Sequence, residues 1–295
     1  MRIAVTGAAG FVGGAFCHTA RAAGHEVYPF SRKEWDLTAG PLPKPPRVQA
    51  VVHAGAAVTD WGPPGPIWRA NLRGTANVIR SFPDARLVHL STASVYDPFT
   101  PTVDASESVP LVTRYLNAYA ASKAAAERLL VDRPDTIILR PHAVYGPGDP
   151  ILLPRVLSAI RGGTLFIVGD GQARQSLTSL DNLVSAVLLS CGRRAPAGTY
   201  NIADAEPVPV EKALRMLITE RGLDVRIRHL PLRPLWTVAA AAEWIYRVAG
   251  SKRPPRLTRY AISHLAMERT LDLTAARERL GFHPTPTTFQ GAGGW

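Results

Sequence analysis

Tyr119 and Lys123 stand four residues apart in a helix-like run from Arg114 to Asp132. At 3.6 residues per turn that spacing stacks the two side chains on one helical face, so the ammonium can sit close to the phenol. A phenol titrates near ~10, and a neighbouring positive charge favours the phenolate, bringing the group nearer the range where it exchanges a proton with a carbonyl or alcohol. The pair is a candidate acid/base centre. Of the eight tyrosines, only Tyr119 has a lysine at this offset. The spacing alone equally suits a surface helix with a snorkelling lysine, and other stretches of the chain decide between the two.

Such a centre needs a bound co-reactant and a rigid floor, and the first stretch of the chain has the pattern for both. Arg2 to Thr6 reads as a short apolar strand, followed by Gly7-Ala-Ala-Gly10-Phe11-Val12-Gly13 and a helical run that ends before Gly24. A strand, a glycine turn and a helix in that order place backbone N–H groups and a positive helix end against a pyrophosphate, and the glycines allow the close approach. The next strand, His25 to Phe30, ends in Ser31-Arg32-Lys33. An acid here would bind a ribose 2′-hydroxyl, whereas arginine accommodates a 2′-phosphate. Ser31 and Arg32 therefore favour NADP(H), with NAD(H) as the other possibility.

Trp35-Asp36-Leu37 follows, then a proline-rich link from Pro41 to Pro46 and a buried-looking strand, Gln49 to His53, ending in Ala54-Gly55-Ala56-Ala57. Small residues at that strand end let a flat cofactor lie across it. Ile67 to Phe82 reads as a helix containing Asn71, and Arg86 to Leu90 as a strand closing on Ser91-Thr92-Ala93-Ser94-Val95-Tyr96. Another strand, Asp135 to Arg140, leads into a turn from Pro141 to Asp149. The alternation predicts an α/β fold, a doubly wound parallel sheet. A dinucleotide-binding domain is expected over 1–147, with 175–204 returning to it. A smaller C-terminal α/β lobe over 148–174 and 205–295 would bind substrate. The apolar run Pro234 to Gly250 is too short for a membrane span and is interrupted by Glu243 and Arg247, which predicts a buried or pocket-lining helix.

Composition narrows the class. The 295 residues are 46% hydrophobic and 19% charged, ordinary for a globular chain with a proper core. Two cysteines, Cys17 and Cys191, make no disulfide framework, and no histidine or cysteine spacing suits a metal. The net charge of +11 is spread along the chain, so no nucleic-acid partner is expected. The opening strand lacks the core of an export signal, and a cytoplasmic location is the expectation.

The ordered set Gly7-x-x-Gly10-x-x-Gly13, Asp36-Leu37, Ser91-Thr92-x-x-x-Tyr96, Tyr119-x-x-x-Lys123, Arg140-Pro141 to Tyr145-Gly-Pro-Gly-Asp149, and Leu271-Asp-Leu to Leu280-Gly-Phe-x-Pro284 resembles an extended short-chain dehydrogenase/reductase. That is the superfamily of the NAD-dependent sugar epimerases and dehydratases and the 3β-hydroxysteroid dehydrogenases, with a Rossmann-type sheet. The resemblance implies that Tyr119 is the general acid/base, that Lys123 lowers its pKa and holds the nicotinamide ribose, and that Thr92 hydrogen-bonds the reacting oxygen. It places Asp36 and Leu37 beside the adenine, Ala54, Gly55 and Ala56 under the dinucleotide, and Pro141 near the nicotinamide. Gly7, Gly10, Phe11, Val12, Gly13, Arg32 and Asn71 complete the expected cofactor set. It further implies a homodimer through the Ile67 and Tyr119 helices.

Sugar-nucleotide members carry an asparagine where this chain has Ala143, and an alanine cannot make that bond. The string Arg140 to Pro154 resembles instead the 3β-hydroxysteroid dehydrogenase-like branch, which includes reductases of long-chain β-keto acids. The expected activity is therefore an NADP(H)-dependent interconversion of a ketone and a secondary alcohol on a hydrophobic small molecule. Tyr96, His142 and Ala143 are candidate substrate contacts. Arg174 matches an arginine that pairs with a substrate diphosphate, so a nucleotide-sugar epimerase or 4-keto-sugar reductase is the alternative. A non-enzymatic NADP-sensing regulator is a second alternative, although regulators of that kind typically lose the tyrosine-lysine pair.

Overall fold

The computed structural model describes residues 1–295. Its centre is a six-stranded sheet in the order Gly198–Ile202, Thr136–Pro141, Arg86–Leu90, Ala50–His53, Arg2–Thr6, Glu26–Phe30. All neighbours run parallel. The order reverses between Arg2–Thr6 and Ala50–His53, and a crevice opens at the carboxyl ends of these two strands, where α/β sheets bind ligands.

The strands are continuous apolar runs because both faces of the sheet are covered. Ile3 and Val5 face the helices Phe11–Ala22 and Leu180–Cys191 through Phe16, Ala20, Leu183 and Val187, all fully or nearly fully buried. The intervening Ala4 faces Trp35, Val78, Phe82 and Leu130 on the other side. This alternation inside an apolar run is the two-residue strand period seen from both layers.

The helix expected from Ile67 is one continuous rod beginning at Pro64: an α segment Pro64–Trp68, a π turn Arg69–Arg73, and an α segment Gly74–Ser81. The wider turn turns Asn71 toward neighbouring elements. The helix carrying Tyr119 is Ala118–Leu130, shorter than its composition suggested, because Asn117 caps it with a side-chain oxygen that accepts from the Ala120 N–H at 2.9 Å.

Smaller sheets build the lobe above the crevice. Arg226–Leu230, Thr164–Val168 and Ile160–Arg161 form one, and Val208–Pro209, Arg174–Gln175, Arg269–Leu271 and Thr102–Ala105 form another. Thr102–Ala105 lies inside the stretch read as dinucleotide domain yet pairs with Arg269–Leu271. The helix Leu232–Val248 departs from expectation. Only Ala239 and Glu243 on it are buried, and none of its residues lines the cleft described below. Its inner side packs Leu235, Trp236 and Ala239 on Val168 and Ile262, and nothing in the chain covers its outer side.

Candidate active site

The glycine turn is shaped by contact. Gly7 has φ +70, and a Cβ there would stand 2.7 Å from the Gly55 nitrogen and 2.8 Å from the Ala54 oxygen. At Gly13 a Cβ would stand 2.2 Å from the Gly7 oxygen. Strand ends and helix start are therefore packed backbone to backbone. No side chain caps the Phe11–Ala22 helix at Gly10, so its first amides, including those of Phe11 and Val12, face outward without a partner from the helix. Leu37 lies against Gly55 and Gly74, and its carbonyl accepts from Asn77 Nδ2 at 2.7 Å. These residues fit a dinucleotide: bare backbone for a pyrophosphate, and a floor of small residues at Ala54, Gly55 and Ala56.

Arg32 and Asp36 lie at the end of the second strand, 3.6 Å apart. Asp36 also accepts from the Thr38 N–H and hydroxyl, and these bonds hold its carboxyl below the usual range. The Arg32 side chain is 84% exposed. Asn71, expected among the cofactor contacts, has its amide engaged by protein: its Oδ1 accepts from the Ala57 N–H at 2.7 Å, while its Nδ2 donates to the Ala57 carbonyl at 3.2 Å and to Ser122 Oγ at 2.9 Å. Ser122 in turn donates to the Tyr119 carbonyl at 2.8 Å. The side chain pins the crevice loop to the tyrosine helix.

Tyr119, in the first turn of its helix, faces Thr92 and Tyr260. Burial pushes its phenol well above the ordinary range, Tyr260 adds to the rise, and the neighbouring Thr92 hydroxyl opposes it. Lys123 lies four residues on, but its ammonium is anchored on the Leu90 carbonyl and donates to His89 Nε2 at 3.2 Å. Burial lowers Lys123 to about 8, and the Glu127 carboxylate resists that fall. In this arrangement burial is the largest influence on the phenol, and Thr92 opposes it. Glu127 is the next residue on the same face. It receives a hydrogen bond from Ser91 Oγ and an ion pair from Arg140 at 2.6 Å, both partners buried.

Thr92 Oγ1 accepts from the Ser94 N–H at 3.1 Å and lies 3.2 Å from Ser94 Oγ, which lies 3.0 Å from the Tyr260 hydroxyl. A narrow cleft beside this row is lined by Ser94, Tyr96, His142, Tyr260, His264 and Arg269, among others. The Tyr96 ring lines it, but its hydroxyl is committed below, donating to Asn201 Oδ1 at 2.7 Å and accepting from Arg140 at 3.0 Å. His142 Nδ1 meets the Ser176 carbonyl at 3.0 Å, and a carbonyl can only accept, so Nδ1 carries the proton. His142 Nε2 is then a lone pair that accepts from His264 Nδ1 at 3.0 Å. Burial, foremost, holds both rings neutral.

Tyr96 and His142 thus line the cleft, Thr92 and Tyr119 adjoin it through Ser94 and Tyr260, and Pro141 stands at the neighbouring strand end. The structure leaves two candidates out. Arg174 is exposed at the rim of the lobe, donating to the Pro207 carbonyl at 3.3 Å. Ala143, with φ +45, packs toward the Tyr145 and Leu153 cluster. Tyr260 and His264 were missed by sequence reasoning, although they repeat the tyrosine-plus-four spacing of Tyr119 and Lys123, with histidine in place of lysine.

With that geometry in view, comparison assigns the class. Residues 3–203 match the NAD dependent epimerase/dehydratase family, and the chain belongs to it: an NAD(P)-dependent enzyme of the extended short-chain dehydrogenase/reductase type, with a nicotinamide cofactor. It is similar to the 2-alkyl-3-oxoalkanoate reductase of Shewanella oneidensis, 31% identical over 94% of this chain and 81% of that protein. It is likewise similar to the 2-alkyl-3-oxoalkanoate reductase of Stenotrophomonas maltophilia, 30% identical over 99% of this chain and 97% of that protein. Among solved structures, UDP-glucuronic acid 4-epimerase from Bacillus cereus in complex with NAD shares the fold, with a TM-score of 0.73 at 19% identity over 99% of this chain and 96% of that one.

Proposed function

We propose that this chain is an NADP(H)-dependent oxidoreductase that interconverts a ketone and a secondary alcohol on a hydrophobic 3-oxo substrate, with Tyr119 as general acid/base. The observation that carries the reading is the Tyr119 phenol set beside Thr92 and Tyr260, next to a cleft that its neighbour Ala120 and Tyr260 line, and one helical turn from a buried Lys123. The two reductases named above support the substrate class.

The bound nicotinamide supplies or accepts the hydride. The chain's own residues handle the proton and the oxygen. Thr92, whose hydroxyl both donates and accepts, orients the substrate oxygen, and Tyr119 gives that oxygen its proton. A phenol held above its ordinary range keeps its proton at neutral pH, the state that reduction requires. Lys123 and Thr92 then offset the phenolate that remains. Arg32 makes a single exposed ion pair, worth little in water, and is free to turn to a 2′-phosphate instead. Arg174, one of the two features behind the nucleotide-sugar alternative beside the Ser31 to Thr38 segment, is exposed and donates to the Pro207 carbonyl away from the cleft lining.

The test is Tyr119→Phe, assayed by NADPH oxidation with a 2-alkyl-3-oxo acid. Loss of one positioned acid lowers turnover by about 100-fold or more while cofactor affinity holds. Near-normal turnover in the variant would refute the assignment.

A further inference from the structure

The exposed side of the Leu232–Val248 helix has no role in the chemistry above, yet its composition is selective. At 100° per residue, Val238, Ala241, Trp244, Ile245 and Val248 fall within an arc of roughly 120° that points away from Ala239. Trp244 is 66% exposed, Val248 69%, Val238 60% and Ile245 55%. That arc holds no charged residue. Soluble surfaces tolerate scattered apolar residues, but a contiguous stripe on one helix marks an interaction face. Trp61, on a neighbouring loop, packs on Tyr246 with ring centres 6.5 Å apart and on the Arg247 guanidinium at 5.1 Å, and so holds the opposite flank of the helix to the protein.

The charge around the stripe identifies the occupant. Between residues 232 and 259 the chain has six bases, Arg233, Arg247, Lys252, Arg253, Arg256 and Arg259, against the single acid Glu243. This short segment therefore holds five of the chain's net +11. Glu243 is buried and answers Arg259 at 2.8 Å and Arg247 at 3.4 Å. Arg233, Lys252, Arg253 and Arg256 are exposed and make no ion pair. An apolar stripe with an exposed tryptophan, accompanied by free cations, is the pattern of a helix that lies in a lipid interface and attracts anionic headgroups. Nucleic acid would use the cations but leave the aliphatic residues in water. The helix is too short and too broken by charge to cross a bilayer.

We propose that the outer face of Leu232–Val248, with the 252–256 cations, docks the protein on an anionic membrane surface. The inner side of the helix packs on Ile262, whose own helix, Arg259–Ala266, carries Tyr260 and His264 to the cleft. Docking places the wall of the substrate cleft one helix away from the lipid. The inference stands whichever ketone the enzyme reduces.

The experiment is cosedimentation of the full chain with phosphatidylcholine vesicles and with vesicles that also contain phosphatidylglycerol. The protein is expected to pellet with the anionic vesicles and stay in solution with the neutral ones. Two variants separate the contributions: Trp244→Glu with Ile245→Glu, and Lys252→Glu with Arg253→Glu. Each pair should weaken partitioning about tenfold or more while nicotinamide cofactor binding, the check on folding, stays unchanged. Failure to pellet overturns the proposal. So does equal binding by the Trp244 and Ile245 variant, which would mean adsorption by charge alone. A concentration-dependent dimer abolished by that same variant would mean that a second copy covers the face, and would also overturn it.

Discussion

Four histidines sit neutral in the interior, and acid should expose them. His53 is held at about 3 and His142 at about 4, both chiefly by burial, and His89 and His264 are lowered well below the ordinary value for the same reason. The sign follows from linkage. With the folded pKa depressed below an unfolded value of 6.5, the unfolded chain takes up protons that the native state refuses, so stability is fully present above that value and is lost as pH falls. From pH 7 to pH 5 each of His53 and His142 removes about 2 kcal/mol, or about 4 kcal/mol together, and the other two act in the same direction. That is a large share of the ~5–15 kcal/mol that holds a domain. The carboxylates with depressed values, Glu34, Asp36, Glu211 and Asp272, start from 4.5 or lower and titrate below this window, so pH 5 isolates the histidines. Urea unfolding should show a midpoint about 1 M lower or more at pH 5 than at pH 7. His142→Gln should shrink the difference by about 2 kcal/mol. A midpoint that is level or higher at pH 5 would mean that the four histidines take up no more protons in the unfolded chain than in the native one.

Two further outcomes follow from the same site. Arg32→Ala should erase a preference for NADPH over NADH of about tenfold, or 1.4 kcal/mol, read by titrating each into the protein; equal affinities in the wild type would sink the NADP(H) reading. Arg140→Met removes the ion-pair partner of the buried Glu127 and should destabilise the fold by about 3–5 kcal/mol in urea, whereas adding Glu127→Gln should restore part of that loss.

The parallel sheet was legible because its strands are apolar runs between helical periods, a pattern set by local sequence. So was the glycine turn, since only glycine permits the backbone contacts at Gly7 and Gly13. Other features depend on partners distant in sequence. Nothing near Asn71 announces the π turn, which is held by Asn71 bonding Ala57 and Ser122 from other elements. The helix at Leu232–Val248 is apolar enough to suggest burial, and hydrophobicity alone does not say whether the covering layer belongs to this chain. Tyr260 and His264 lie far along the chain from Tyr119, and only the lobe's folding back brings them to it.

Spacing put Tyr119, Lys123 and Glu127 on one helical face, and burial decides what that face does. Desolvation works against charge on the tyrosine and the lysine, so the phenol rises and the ammonium falls, and the Glu127 carboxylate limits the second. At neutral pH the phenol is protonated and the ammonium is still mostly charged, the pairing suited to delivering a proton to a carbonyl oxygen. The weak point is Lys123. Because its value is about 8, reduction should slow as pH rises through that value, well before any phenol titrates, since the phenolate left by proton transfer then lacks its neighbouring cation. Initial rates of NADPH oxidation from pH 6 to 9.5 should show this falling limb, and Lys123→Met, slower throughout, should lack it. A limb that persists in Lys123→Met would transfer the titration to another group, and a wild-type rate that climbs through pH 8 would mean that proton delivery does not depend on the lysine charge.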